Sequence, residues 1–346
     1  LPGLVITNHF GNFDLISVIH HLSYEGGGHE VRAFAYEVQD GVVAVACFAL
    51  AAFWLRNLLA LSGWWYWLAA AVIAVINPMS VSIAKYGFTP KVDLGLAAQL
   101  GPPHIVSPAI RPDVILIYLE GVDRAFADTA RFGDAYAGLL PVQAAGLDLT
   151  QVGQIVGTGW SIAGIVATQC GVPLLPNGMR NRNRFEAQTA FLPSQTCLSD
   201  VLADQGYHST YIVAASAAFA GQNHFMRSHQ YDRIIDREAL AGRYDPAVLA
   251  RADASAAKAY DDQLAFDAAA RHYDEMTVRA APFAMTIATY GPHGESGVLS
   301  RHCAQDGYAR LESDLRKTVP CTISDALRFL AKKYGIELQE TGNREE

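Results

Sequence analysis

Two positions in this chain combine a reactive side chain with a setting that could use it. The run Asp113-Val-Ile-Leu-Ile-Tyr-Leu119 is nearly all apolar and largely β-branched, and it ends in Glu120-Gly121. Such a run reads as a strand buried in a largely parallel sheet, so the Glu120 carboxylate emerges at the strand's carboxyl end, the edge where open α/β sheets bind ligands. The second position is Ser161, in Gly157-Thr-Gly-Trp-Ser-Ile-Ala-Gly164, which runs on into Ile165-Val-Ala-Thr-Gln-Cys170. The glycines permit a tight turn, and a helix-compatible stretch begins at the serine. A hydroxyl there faces unsatisfied N–H groups and the positive end of the helix dipole, a setting that favours phosphate and sulfate esters. The plainest alternative makes Ser161 an N-cap.

Two catalytic readings compete for Ser161. The nucleophile elbow of α/β-hydrolases requires Gly-x-Ser-x-Gly, and here Ala163 stands where the second glycine belongs. In the other reading Ser161 is a metal-activated nucleophile that takes up a phosphoryl group, a divalent ion lowering the hydroxyl pKa. That chemistry needs a carboxylate ligand, for which Glu120 is the candidate. Thr158, one turn earlier in the glycine loop, is a rival hydroxyl.

The elements that hold these groups lie in the second part of the chain. The 346 residues carry 26 Lys+Arg against 34 Asp+Glu, a net charge of −8, with 51% hydrophobic residues. This composition disfavours disorder. The lack of a basic footprint disfavours nucleic-acid binding. Between Asp40 and Lys85 the only charge is Arg56, and Val42 to Leu61 and Trp64 to Ser80 form two apolar runs. Both meet the roughly 17–25 residues needed to cross a bilayer. The Trp64-Trp65-Tyr66-Trp67 cluster suits the interface, where Arg56 could snorkel. The alternative is a helical hairpin buried in a soluble core. The expected organisation is an extramembrane segment (1–40), two transmembrane helices (41–81), a Pro- and Gly-marked linker (82–110) and an α/β catalytic domain (111–346).

Cys47 falls in the first apolar run and reads as a small buried hydrophobe. Cys170, Cys197, Cys303 and Cys321 all fall in the α/β domain. Four cysteines allow three pairings; the sequence-local one joins Cys170 to Cys197 and Cys303 to Cys321. Disulfides there fit a domain outside the cytosol, and no spacing typical of a zinc knuckle occurs.

Pro112 to Glu120, the 18-residue run Gly157 to Leu174, Phe191 to Asp200, Gly206-Tyr207, Phe219 to Asp232, Tyr260-Asp-Asp262 and Phe283 to Gly294 together resemble the periplasmic phosphoglycerol transferases. These belong to the alkaline phosphatase/sulfatase superfamily and are relatives of lipoteichoic acid synthase. The resemblance spans roughly 111–330 and implies a sheet flanked by helices. It implies Glu120 and Ser161 as ligands of a divalent ion (Mn²⁺ or Mg²⁺, with Zn²⁺ as an alternative) and Ser161 as the nucleophile, where Thr is commoner. His293, with Thr158 and Trp160, forms the implied substrate-binding set. The partners implied are phosphatidylglycerol as donor and a glucan as acceptor, at the bacterial inner membrane with the catalytic domain in the periplasm.

Several departures narrow the reading. Where lipoteichoic acid synthases contact glycerophosphate with Trp and Arg, this chain offers Ala220 and Gln222, which disfavours a polymerising synthase. His224 and His229 read as helix-surface residues. Neither Ser161-Ile-Ala-Gly nor Cys170-Gly-Val-Pro-Leu fits the C/S-x-P-x-R context of true sulfatases. The Asp-His pair that completes the family's metal site is absent, for no Asp-His dipeptide occurs. After Cys321 a helix is expected over Thr322 to Leu330, and no further strand follows. With the non-Met start, this suggests a fragment lacking its C-terminal part, expected to hold metal weakly and turn over little. The competing functions are a phosphodiesterase or phosphoethanolamine transferase on the same scaffold, and a degenerate membrane-bound binding protein.

Overall fold

The computed structural model describes residues 50, 53–54, 63–64, 68, 111–150, 152–153, 158–174, 190–254, 258–279, 281–293, 297–303, 311–312 and 314–335. The expected transmembrane hairpin, the extramembrane segment and the linker fall outside the described residues, except for six positions. Of those six, Leu50, Phe53, Trp54, Trp64 and Leu68 are helical and exposed. Among the described residues no helix is long and apolar enough to cross a membrane.

The chain divides into two compact units. The first comprises Leu1–Val106, Ile155–Thr196 and Ala220–Ser228; the second comprises Ser107–Gln154, Cys197–Phe219 and His229–Glu346. In the first unit, helix α1 (Ser161–Cys170) buries Ile162, Ala163, Ile165, Val166 and Gln169. It stops at Gly171, whose left-handed φ of 71° lets its N–H bond back to Ala167, the usual role of glycine past a helix end. Phe191 and Phe225 meet edge to face at 5.4 Å in the same unit.

The second unit is built on a parallel sheet. Strand β1 (Val114–Tyr118) pairs with β4 (Phe283–Ala288), β4 with β2 (His208–Val213), and β2 with β3 (Arg233–Ile235). The expected strand over 113–119 is therefore present, one residue shorter at each end. Every residue of β4 is buried, as befits a central strand of a sheet covered on both faces. Two-residue antiparallel ribbons join Asp253–Ala254 to Ala259–Tyr260 and Gly297–Val298 to Leu311–Glu312.

Helix α2 (Asp262–Thr277) lays Leu264, Ala265, Phe266, Ala268 and Ala269 into the main core with Met285 and Ile287 of β4 and Ile212 of β2. Helix α3 (Leu315–Tyr334) adds Ala326 and Phe329 to the same core. It begins seven residues before the expected Thr322. Asp314 caps it by accepting from Arg316 N at 3.0 Å, and buried Thr318 and Val319 anchor its first turns. Pro320 lies within it. A proline there removes one intrahelical hydrogen bond, and the cap and buried first turns compensate for that loss.

Cys303 and Cys321 are joined in a disulfide that ties the segment after β4 to α3. Closing a loop of 18 residues in the unfolded chain stabilises the fold by about 3 kcal/mol. The double variant Cys303→Ser/Cys321→Ser should lower the unfolding free energy by about that amount in denaturant titrations. An unchanged midpoint would show that the bond contributes nothing.

Candidate active site

The carboxyl ends of β1 and β4 bring together two residues 173 positions apart. After β1 the chain turns at Glu120-Gly121. Gly121 has a φ of +65°, and a Cβ there would lie 2.9 Å from the Pro292 carbonyl oxygen, so only glycine fits. The Glu120 N–H donates to Thr289 Oγ1 at 2.8 Å, and Thr289 N donates to Tyr118 O at 3.0 Å. Thr289 thus extends the ladder by one rung and fixes where the glutamate leaves the strand. Beyond it, Tyr290-Gly291-Pro292-His293 folds into a turn closed by His293 N donating to Tyr290 O at 3.0 Å. That turn sets His293 Nδ1 3.0 Å from Glu120 Oε1, and the Tyr290 ring stacks on the imidazole at 4.7 Å. The hydrogen bond to Glu120 raises the His293 pKa against the opposing effect of burial. Both side chains are partly exposed, 24% for Glu120 and 35% for His293, so a solvent-borne group can reach them.

A buried carboxylate missing from the expected site holds this turn. Asp262, the first residue of α2 and 1% exposed, accepts from Tyr290 N at 2.6 Å, Gly291 N at 2.8 Å and Thr322 Oγ1 at 2.9 Å. A Cβ at Gly291 would fall 2.2 Å from Thr322 Oγ1 and 2.6 Å from Asp262 Oδ2, so the close approach requires glycine. Burial pushes the Asp262 carboxyl up to about 6, against the pull of its three donors. Its neighbour Asp261 is the ordinary N-cap, accepting from Leu264 N at 3.0 Å.

Ser161, Trp160 and Thr158 belong to the first unit. Ser161 is the first residue of α1 and half-buried. It is not the N-cap; Trp160 occupies that position in an extended conformation, without a side-chain cap. The indole Nε1 of Trp160 is buried without a hydrogen-bond partner among the described residues, a donor suited to a substrate oxygen. Thr158 is half-buried in the loop before the helix.

Elsewhere, His229 departs from its expected helix-surface position. It is 1% exposed, with Nδ1 2.8 Å from Asp200 Oδ2 and Nε2 3.7 Å from Cys197 Sγ. It follows the helix Gln222–Ser228 directly in sequence. His224 is half-buried on that helix. Ala220 and Gln222 are buried.

The sulfatase family model matches residues 154–313. Among curated relatives, it is 31% identical over 231 residues to "Phosphoglycerol transferase I" of Xanthomonas campestris pv. campestris (strain B100), covering 65% of this chain and 32% of that protein. It is 29% identical over 216 residues to "Phosphoglycerol transferase I" of Escherichia coli (strain SMS-3-5 / SECEC), covering 62% and 27% respectively. The chain thus spans about a quarter to a third of the length of these relatives. Solved structures similar to it include an alkaline phosphatase superfamily protein from Vibrio parahaemolyticus, with 18% identity, a TM-score of 0.43 and coverage of 64% of this chain and 50% of that one. Another is the lipoteichoic acid synthase LtaP from Listeria monocytogenes, with 13% identity, a TM-score of 0.46 and coverage of 65% and 53%.

Proposed function

We propose that the full-length protein is a membrane-anchored phosphoglycerol transferase acting through a covalent Ser161 intermediate. The observation that carries this reading is the Glu120–His293 pair, 3.0 Å apart at the carboxyl edge of two adjacent parallel strands. A carboxylate and a histidine at that edge suit a phosphodiester, and the curated relatives bear the name phosphoglycerol transferase. In this reading the Ser161 oxygen attacks the phosphorus of phosphatidylglycerol. The bond to the diacylglycerol oxygen breaks, and that oxygen takes up a proton. A glucan hydroxyl then attacks the phosphoserine ester and Ser161 regains its proton. The chain's own contribution is positioning and charge neutralisation, which phosphoryl transfer mainly requires. The N-terminus of α1 and the Trp160 indole offer donors to the phosphate oxygens, and His293, held by Glu120 at 3.0 Å, offers its imidazole to the same group.

A divalent ion shared by Glu120 and Ser161 belongs to this reading and would further acidify the serine hydroxyl. These two donors do not complete the oxygen shell such an ion takes, so the steps above rest on the protein's side chains alone. The exposed helical Leu50, Phe53, Trp54, Trp64 and Leu68 support anchoring at a bilayer. The Cys303–Cys321 disulfide supports a periplasmic domain.

Mass spectrometry of the full-length protein incubated with phosphatidylglycerol should find phosphoglycerol esterified to Ser161. No adduct, together with full transfer by Ser161→Ala, would remove the mechanism. Adding glucan should divert phosphoglycerol from water to the acceptor; equal release of glycerol phosphate with and without glucan would favour a phosphodiesterase.

A further inference from the structure

The second unit carries a cavity of about 270 Å³ that the proposed reaction does not use, lined by Arg233, Arg243, Tyr244, Arg271, His272 and Glu275 together with Ala268. Its position follows from the fold. Arg233 opens β3 and pairs in register with Thr210, near the start of β2. His272 stands ten residues along α2 from Asp262, about 15 Å at 1.5 Å per residue. Asp262 clasps the turn at the carboxyl edge of the sheet, so the cavity lies toward the opposite, amino-terminal edge.

Its electrostatics run against those of the whole chain. The protein has a net charge of −8, yet three guanidinium groups meet here with a single carboxylate. Glu275 is shared between Arg233 at 3.4 Å and His272 at 3.2 Å. Burial lowers the His272 pKa, and its other nitrogen lies 2.8 Å from Thr210 Oγ1. Arg271 lies over the Tyr244 ring at 4.6 Å, and neither Arg271 nor Arg243 has a carboxylate partner among the described residues. The Tyr244 hydroxyl is buried without a hydrogen-bond partner among the described residues, and burial keeps it protonated, so it remains a donor. A buried donor left unpaired is costly, and an anion's oxygen would satisfy it.

We propose that this cavity binds one phosphate group, as an ester headgroup or as free phosphate, at a site separate from Ser161 and Glu120. Guanidinium groups grip phosphate through paired N–H donors, and the four oxygens of phosphate match several donors arriving from different directions. The volume lies just under the roughly 300–1,000 Å³ of drug-sized ligand sites, which suits a headgroup and excludes an acyl chain. The inference is independent of the reading of Ser161.

Calorimetric titration of the full-length protein with inorganic phosphate and with glycerol phosphate, in chelator to silence any metal-dependent site, tests it. Saturable binding that weakens at least about tenfold in Arg243→Gln/Arg271→Gln, from losing two charged hydrogen-bond partners, supports the site. Tyr244→Phe should weaken it less. The charge-matched control Arg251→Gln/Arg279→Gln, exposed and outside the cavity, should bind as wild type does. No saturable binding, or equal binding by the Arg243/Arg271 variant, overturns the proposal, as does an equal loss in the control. Sedimentation with phosphatidylglycerol or phosphatidylcholine vesicles separates the sources. Retention on phosphatidylglycerol that falls in the cavity variant supports the site with a lipid headgroup as its occupant. Unchanged retention, alongside lost binding of the free anion, supports it with a soluble ester.

Discussion

Ser161→Ala in the full-length protein should cut phosphoglycerol transfer by at least about 10⁴-fold while leaving the fold intact. Removing a catalytic nucleophile costs on the order of 10⁴ to 10⁶ in turnover, and the residual rate comes from binding and charge stabilisation by the remaining groups. The same change should be nearly neutral for stability. Trp160, not Ser161, occupies the N-cap position, so no cap is lost, and alanine is the better helix former. Ser161→Thr keeps the hydroxyl at the first position of α1 and should retain much of the activity. Thr158→Ala provides the contrast. Were Thr158 the nucleophile, its loss would abolish transfer and Ser161→Ala would be tolerated. Transfer rates of the three variants, measured beside their thermal midpoints, decide between the two hydroxyls; full activity in Ser161→Ala would end the assignment.

What the sequence shows and what it hides follow from how local each signal is. β1 was legible because a run of Val, Ile and Leu between a polar start and Glu120-Gly121 fits a buried strand and little else. The start of α1 was legible because glycines precede a helix-forming stretch at Ser161. The Cys303–Cys321 bond belongs to the sequence-local one of the three pairings that four cysteines allow. The Asp262 clasp was hidden because Tyr260-Asp-Asp262 entered only as a run shared with the resembling family, and nothing in its local pattern marks the turn that Asp262 holds. Asp261 does cap α2, and only the packing of α2 against the turn after β4 reveals that Asp262 faces inward. Similarly, Pro320 argues for a break, so the expected helix began after it; Asp314 and the buried Val319 carry α3 across the proline. His229 reads as surface because its neighbours Ser228 and Gln230 are polar, and its partner Asp200 stands 29 residues away. Contacts made across the fold leave little trace in local pattern, and the clasp, the inward histidine and the cavity arginines are all of this kind.

Asp262→Ala should lower both stability and transfer, because one carboxylate serves two backbone N–H groups and a threonine hydroxyl. Stranding buried donors costs about 1–3 kcal/mol each. The three together exceed the cost of keeping a carboxylate buried, so a net loss of about 3 kcal/mol is expected. Freed of its clasp, the Tyr290–His293 turn no longer holds His293 against Glu120, and turnover should fall by about 100-fold with a smaller change in KM. Asp262→Asn keeps one acceptor oxygen but turns an amide toward donors, so it should restore stability more than activity. Its pH dependence provides a separate test. The carboxyl rises from 3.8 to about 6 on folding, so between these values the native state holds a proton that the unfolded chain has lost. The contribution of Asp262 to stability is therefore fully present below pH 4 and declines as pH rises toward 6. The stability of wild type relative to Asp262→Asn should accordingly fall by about 3 kcal/mol across that interval. A difference that stayed flat with pH would show that Asp262 is charged in both states, with its three donors outweighing burial.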